Sequence, residues 1–369
     1  MRKLKAFQVI NNSSRISSVD FFRGLAIISV VLYHFNNTLP YGYLGVDLFF
    51  VVSGLLVGGL LTKKFENGEK IHFSKFFIQR GFKIWPSYYV FIIIGSLLAM
   101  VFYSKTQPDQ IIPFSDLPRY LFFYQNYTGL PFHWSFDHVW SLCVEEHFYI
   151  ILPLIFIIVQ FFFPNKNKRL ALLIFIGLFL FSGIVFKHFS YFFTTSKDTY
   201  SGTHNRIDAL SWGVLLNLII KYYGAKIRLS KLTPFLFVTG LSLLVFAIYS
   251  HIEFSNVIYE KIYFHTLIPF SFFLVLLSLY YVDFSKLFFF RFIAYYSYNW
   301  YLWHPVFVLY ITKNLGNSWA GLIVYLVVSF LTSVFFTITV EEIFIGKREA
   351  VLDKLFRMSI PFKARRKVG

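Results

Sequence analysis

Ten stretches of about 20 mostly apolar residues follow one another along this chain and limit what it can become. They cover 21–38, 43–62, 84–103, 139–163, 170–186, 207–223, 233–250, 264–283, 292–313 and 319–345. A run of that length and character is what a helix needs to cross the hydrocarbon core of a bilayer. Helices are expected because backbone polar groups in lipid must find partners within their own segment. A β-barrel would need apolar and polar residues to alternate over about ten positions, whereas the run from Ile150 to Phe163 is nearly unbroken in its apolarity. The first stretch reads as a span and not as a cleavable signal peptide, since it is longer than an h-region and no small-x-small site follows it. The expected fold class is therefore an all-α integral membrane protein, a bundle of about ten transmembrane helices. Composition points the same way. Charged residues make up 14% of the chain, against about 25% in soluble proteins, which excludes an ordinary soluble enzyme; the 57% hydrophobic content excludes disorder.

Orientation follows from the connections. With the N-terminus inside, 27 of the 35 Lys and Arg fall in inner segments and 7 in outer loops, the remaining one being Arg23 within the first span. Cytoplasmic segments carry such an excess, so both termini are expected in the cytoplasm. The chain divides into a cytoplasmic segment 1–20, a membrane domain 21–345 and a basic cytoplasmic tail 346–369 that includes Lys363-Ala-Arg-Arg-Lys. A net charge of +17 would suggest nucleic acid in a soluble protein. Here the basic residues lie between apolar runs, so anionic membrane lipids are the expected partner and no nucleic acid is. The basic, amphipathic stretch Phe73–Ile84 is expected to lie along the membrane interface. A single cysteine, Cys143, rules out an internal disulfide and a thiolate metal cluster; within an apolar helix it reads as inert.

Charged groups inside a spanning helix cost at least about 2.5–3.5 kcal/mol each, so each one needs a reason. Arg23 and His34 share the first span. Eleven residues at 100° each bring them back onto one stripe, separated by about 16 Å of helical rise. Asp47 opens the second span near the outer surface. Trp140, Glu145 and Glu146 lie on the fourth span, Arg206 and Asp208 at the start of the sixth, and His304 on the ninth beyond mid-membrane. Ionisable residues from five helices thus fall in one outer-half layer and suggest a buried polar chamber. A histidine facing a carboxylate, Asp47 or Glu145, suits general-base work on a hydroxyl. Cations toward the inner end of the stripe suit the phosphates of a ligand such as a CoA thioester.

At these residues the sequence resembles the acyltransferase-3 family of integral membrane proteins. The matching segments are Ser18-Val19-Asp20 leading to Arg23-Gly24 and, ten residues further, His34; Gly45-Val46-Asp47 with Phe49-Phe50 and Ser53-Gly54; Arg80, Ile84, Pro86 and Tyr88; Trp140-Ser141-Leu142 with Glu145-Glu146 and Phe148-Tyr149; and Ser297-Tyr298 through Tyr301-Leu302-Trp303-His304. They run in order through nearly the whole chain. The resemblance implies a ten-helix enzyme of a bacterial cytoplasmic (inner) membrane. Such an enzyme moves an acyl group, most often acetyl, from cytoplasmic acyl-CoA to a hydroxyl of a glycan, free or lipid-linked. Acceptors of this kind include the O-antigen of lipopolysaccharide, capsule and peptidoglycan. Carried over by position, His34 is catalytic, Arg23 serves the acyl donor with Arg80 and Lys83, and Glu145 and His304 belong to the site. The family's basic pair is here Arg80-Gly81, and Lys83 stands where Arg is more usual. The SGNH hydrolase-like domain fused to some members has no counterpart in this sequence, so the expectation is that this domain finishes the transfer itself or passes the group to a separate partner.

The expected site is thus His34, Glu145, Asp47 and His304 for catalysis, Arg23, Arg80 and Lys83 for acyl-CoA (acetyl-CoA), and Trp140, Glu146, Arg206 and Asp208 for the acceptor, with no metal. His138 and His147 lack a second ligand cluster. Ser53 and Ser141 read as helix-packing residues, and Glu341 and Glu342 as partners of nearby cations outside the site. Aromatic residues in the outer loop 119–134 could stack on sugar rings. The alternative from the residues alone is a transporter or flippase moving a sugar or lipid-linked saccharide through the same chamber; the lack of an internal repeat counts against it.

Overall fold

Each apolar stretch forms a helix, because within such a stretch helical bonding, i to i−4 along most of its length, satisfies the backbone without water. The computed structural model describes residues 15–105, 108, 111–128, 133, 135–163, 167–194, 199–228, 231–254 and 256–357. The Lys363-Ala-Arg-Arg-Lys tail and residues 1–14 of the expected N-terminal segment lie outside the described residues. The helices are α1 (Ser17–His34), α2 (Gly45–Glu66), α3 (Phe73–Tyr103), the short α4 (Leu117–Leu121), α5 (Trp140–Phe162), α6 (Lys168–Phe193), α7 (Thr203–Arg228), α8 (Leu232–Phe254), α9 (His265–Leu279), α10 (Phe288–Leu315), α11 (Trp319–Phe336) and α12 (Glu342–Arg357). One π-helical turn, Tyr259–Phe264, precedes α9, and another, Thr337–Glu341, joins α11 to α12. Among the described residues there is no strand.

Seven helical stretches are long and apolar enough to cross a membrane: Gly42–Glu66, Phe73–Val101, Asp137–Phe162, Lys168–Phe193, Leu232–Phe254, Tyr259–Leu279 and Trp319–Phe356. The other three long helices, α1, α7 and α10, match the remaining apolar runs of the sequence. They carry Arg23 and His34, Arg206 and Asp208, and Arg291 and His304, and these polar groups dilute their apolarity. The exterior is the reverse of a soluble protein's, with Leu60, Val101, Phe161, Phe246 and Leu331 exposed, while Asp47, Lys187, Arg206 and Asp208 are fully buried. The stretch Phe73–Ile84 is not a separate interfacial helix. It is the first part of α3, which continues through Pro86 for 31 residues, or about 46 Å. That exceeds a hydrocarbon core of about 30 Å, so the basic first turns of α3 reach past it.

Packing at the centre is close. α1 contacts α2 and α10, α10 contacts α11, and α2 contacts α7, which in turn contacts α6. The α2–α7 approach depends on two glycines. A Cβ on Gly54 would stand 1.9 Å from the Leu210 carbonyl oxygen, and one on Gly213 would stand 2.0 Å from that of Val51. Small residues let helix backbones meet closely inside a membrane bundle, and here the contact fixes the rotation of α2. α1 stops at His34 because Asn36 and Asn37 adopt φ of 50° and 53°, a region that Asn tolerates better than most side-chain-bearing residues. His34 is thereby the last residue of its helix. Gly54→Ala and Gly213→Ala should each cost about 1–3 kcal/mol through overpacking. Gly177→Ala, where nothing lies within 4 Å of the added carbon, should be neutral or stabilising; thermal unfolding in detergent measures the difference.

Candidate active site

The rotation of α2 divides its residues into two stripes. Val46, Phe49, Phe50, Ser53 and Val57 face an internal cavity of about 160 Å³. Asp47, Val51, Gly54 and Gly58 lie about 100° round the helix and face α7, where both glycines meet Leu210 or Val214. α5 is divided in the same way, with Ser141, Leu142, Glu145 and Tyr149 lining the cavity. Arg23 of α1, Arg80, Lys83 and Ile84 of α3, and Ser297, Tyr298 and Tyr301 of α10 complete it.

One end of the cavity is basic. Arg23 donates to the Ser297 hydroxyl at 3.0 Å, and Lys83 pairs with Glu341. Glu341 also accepts from Asn299 at 2.8 Å, and Asn299 donates to Thr337 at 3.0 Å, so the π turn of Thr337–Glu341 is fastened to α10. In the middle, the Tyr149 hydroxyl is the hub. It donates to Glu145 Oε2 at 3.0 Å, receives Arg80 at 3.0 Å and bonds Ser53 at 2.9 Å. The Arg80 guanidinium also lies 4.6 Å over the Tyr149 ring. The lining therefore holds three cations and one carboxylate, a balance that favours an anionic ligand. At the far end the Tyr301 hydroxyl donates to the His138 carbonyl at 2.7 Å and bonds Ser141 at 2.7 Å.

Beyond Tyr301 stand His304 and His34, their rings 4.8 Å apart. His304 Nδ1 is 2.7 Å from the Tyr301 carbonyl and 3.1 Å from that of Trp300. Carbonyls only accept, so Nδ1 carries the proton and Nε2 the lone pair. His34 Nδ1 is 2.9 Å from the Val30 carbonyl and 3.3 Å from His304 Nε2. The same reasoning makes it an N–H shared between those two acceptors, leaving the His34 lone pair on Nε2. His138 packs against the pair, 5.4 Å from the His304 ring centre.

The structure thus brings Arg23, Arg80, Lys83 and Glu145 together in one cavity and sets His34 beside His304 next to it. It separates the other expected site residues from them. Asp47, expected to orient His34, forms a buried ion pair with Arg206 on α7, because it lies on the α7-facing stripe of α2. Asp208 pairs with Lys187 of α6 at 2.5 Å. Glu146, one step round α5 from Glu145, faces α3 and accepts from Trp85 Nε1 at 3.1 Å. Trp140 is buried between Phe50 and Tyr200, at ring distances of 5.9 and 4.7 Å. Glu145 is joined to Tyr149, and the neighbour holding the His34 tautomer is His304. Ser53 and Ser141 are cavity residues as well as small ones. Tyr149, Tyr301 and Ser297 were assigned no role from the sequence; the i, i+4 spacing of Glu145 and Tyr149 was the available signal. Cys143 is buried, with Sγ 3.7 Å from Gln125 Oε1. Among the described residues no group of three His, Cys, Asp or Glu side chains is arranged to hold a metal ion.

These features define a class of protein, a helical membrane bundle with a cation-lined internal cavity that ends beside a histidine pair. The chain belongs to the acyltransferase-3 family of enzymes: that family's model, an acyltransferase domain, matches residues 16–340. Among its relatives, the peptidoglycan O-acetyltransferase OatA of Listeria monocytogenes is 31% identical over 229 residues, covering 59% of this chain and 36% of that protein. The O-acetyltransferase OatA of Staphylococcus aureus is 26% identical over 241 residues, covering 62% and 39%. The matched region spans well under half the length of these relatives. No solved structure matches the chain. Family membership favours an acyltransferase over a transporter. Removing one partner of a buried ion pair leaves the other charge stranded, so Arg206→Gln and Asp47→Asn should each destabilise the protein by about 3–5 kcal/mol. The double variant should recover part of that loss, as read by thermal unfolding in detergent.

Proposed function

We propose that this enzyme transfers an acetyl group from acetyl-CoA to a hydroxyl of a cell-surface glycan. The observation that carries the reading is the grading of one cavity, with Arg23, Arg80 and Lys83 at one end and the Tyr301 hydroxyl, next to His304 and His34, at the other. The phosphates of a CoA thioester suit the cations, and its acyl end then points toward the histidines. In the ten-span topology, with both termini cytoplasmic, the basic end faces the cytoplasm, where acyl-CoA is made, and His34 faces outward. The excess of Lys and Arg in one set of connections supports that orientation, and the bacterial membrane O-acetyltransferases among its relatives support the cytoplasmic membrane of a bacterium as the location. The name of the Listeria relative supports peptidoglycan as the acceptor ahead of lipopolysaccharide or capsule. Tyr127, exposed and stacked on the His204 ring at 5.6 Å, offers a surface on which a sugar could stack.

In this mechanism His34 Nε2 takes the proton of the acceptor hydroxyl as its oxygen attacks the thioester carbonyl. The C–O bond forms, the C–S bond breaks, and CoA leaves as a thiolate that takes up the proton from the His34 imidazolium, its phosphates still held by the cations. His304 Nε2, accepting from His34 Nδ1–H, keeps the His34 lone pair on the reactive nitrogen. The C-terminal end of α1, the negative end of the helix dipole, stabilises positive charge on the ring.

The test is CoA release and acyl gain on a glycan fragment, using purified protein and acetyl-CoA. His34→Ala should lose about 10²–10⁴-fold in kcat, and Arg23→Ala should raise KM for acetyl-CoA. His304→Gln should lower kcat and alter its pH profile while leaving KM for acetyl-CoA close to wild type. A folded wild-type protein that neither binds nor turns over acyl-CoA would overturn the reading. Orientation has its own test. In a Cys143→Ser background, Lys105→Cys and Lys286→Cys should react with an impermeant thiol reagent from opposite sides of the membrane.

A further inference from the structure

The cavity stripe of α2, from Val46 to Val57, covers about 16 Å of helix. Toward its basic end the lining is polar. Toward the other end the rings of Phe49, Phe50 and Tyr301 narrow it, with Val46, Ser141 and Leu142 beside them. Each of these rings is held by a neighbour. Phe50 is 1% exposed, with the Trp140 ring edge-on at 5.9 Å and the Arg206 guanidinium 5.6 Å over its face. That guanidinium is fixed in turn by its ion pair with Asp47, and Tyr200 lies on it at 5.2 Å. Phe49 meets the Tyr301 ring edge-on at 6.2 Å, while Ser141 and the His138 carbonyl hold the Tyr301 hydroxyl. Swinging Phe50 aside would disturb a buried ion pair, so this wall yields far less readily than aliphatic packing.

We infer that the Phe49–Phe50 wall, stiffened by the Arg206–Asp47 pair behind Phe50, sets the length of the acyl group this enzyme accepts. It admits acetyl and excludes chains of four or more carbons. The inference rests on the donor orientation proposed above, with the thioester's acyl end directed away from Arg23, Arg80 and Lys83. It also gives Arg206 and Asp47 a role other than acceptor binding. They are positioning residues that act on the donor through Phe50.

The experiment measures kcat/KM for CoA release from acetyl-, propionyl-, butyryl- and hexanoyl-CoA, with the full chain in detergent. One methylene in a hydrophobic pocket is worth roughly 10–200-fold in discrimination. The wild type should therefore prefer acetyl-CoA over butyryl-CoA by at least about tenfold. Phe50→Ala should raise the butyryl-to-acetyl ratio by about tenfold or more, with Phe50→Leu intermediate and Phe49→Ala in the same direction. Arg206→Lys keeps the charge but loses the planar stack on Phe50 and should also raise the ratio; a merely structural role would lower the unfolding temperature and leave the ratio unchanged. If Phe50→Ala does not fold, Phe50→Leu and Phe49→Ala carry the test. A wild type that uses butyryl-CoA as well as acetyl-CoA overturns the inference, as do folded variants that retain the wild-type ratio. A wild type that turns over none of the four thioesters overturns the donor reading and this inference with it, an outcome distinct from an unchanged ratio in an active enzyme.

Discussion

The cost of placing charge inside an apolar bundle organises this structure. A lone buried ion loses several kcal/mol of hydration, and the chain meets that cost by pairing. Arg206 is held by Asp47 and Lys187 by Asp208, and all four are almost completely buried. Lys83 is held by Glu341 at the edge of the cavity. The Asp47–Arg206 and Lys83–Glu341 pairs join segments far apart in the sequence, and Lys187–Asp208 joins the consecutive helices α6 and α7, so the pairs help fix which elements are neighbours as well as neutralising charge. Buried pairs add little net stability compared with apolar packing. Their contribution here is positional, since they hold α2, α6 and α7 at set rotations about their axes.

Those rotations decide what the cavity contains. With α2 drawn onto α7 by Gly54, Gly213 and the Asp47–Arg206 pair, its stripe of Val46, Phe49, Phe50, Ser53 and Val57 faces inward. On α5 the same geometry turns Glu145 and Tyr149 into the cavity and leaves Glu146 against Trp85. Arg23, Arg80 and Lys83 are not fully neutralised by Glu145 and Glu341, so a positive field remains at one end. The protein thus uses some charges to fasten the frame and leaves others less than fully neutralised in the cavity.

The histidine pair follows a related rule. In an apolar setting, a ring nitrogen facing a carbonyl must carry its proton, and two carbonyls set the His304 tautomer. His304 then presents a lone pair to His34, whose own Nδ1–H is shared with Val30. A neutral histidine here does the orienting work that a carboxylate does in many hydrolases. It does so without adding a further charge to the apolar interior, in keeping with the scarcity of unpaired charge elsewhere in the bundle.

Much of the fold was legible in the sequence because membrane-scale apolar runs are long and contiguous. Each became a helix near its expected place, and α3 differed only in absorbing the basic stretch Phe73–Ile84. The sequence alone also marked Arg23, His34, Glu145 and His304 as polar residues in apolar helices, while Arg80 and Lys83 entered from the basic stretch before the third span through the family resemblance. Reading depth along a helix places a residue in a layer but says nothing of its azimuth, which is why Asp47 and Glu146 were grouped with the site although each faces another helix. Azimuth is set by contacts between segments distant in the chain, such as Gly54 with Leu210 and Asp47 with Arg206. Only the tertiary structure could make Tyr149 the hub of the cavity, give His34 a histidine as its neighbour, and turn Arg206 from an expected acceptor-binding residue into the partner of Asp47 behind Phe50. The physical reason is that hydrophobicity is a property of each segment by itself, whereas the pairing of buried charges belongs to the helices they join.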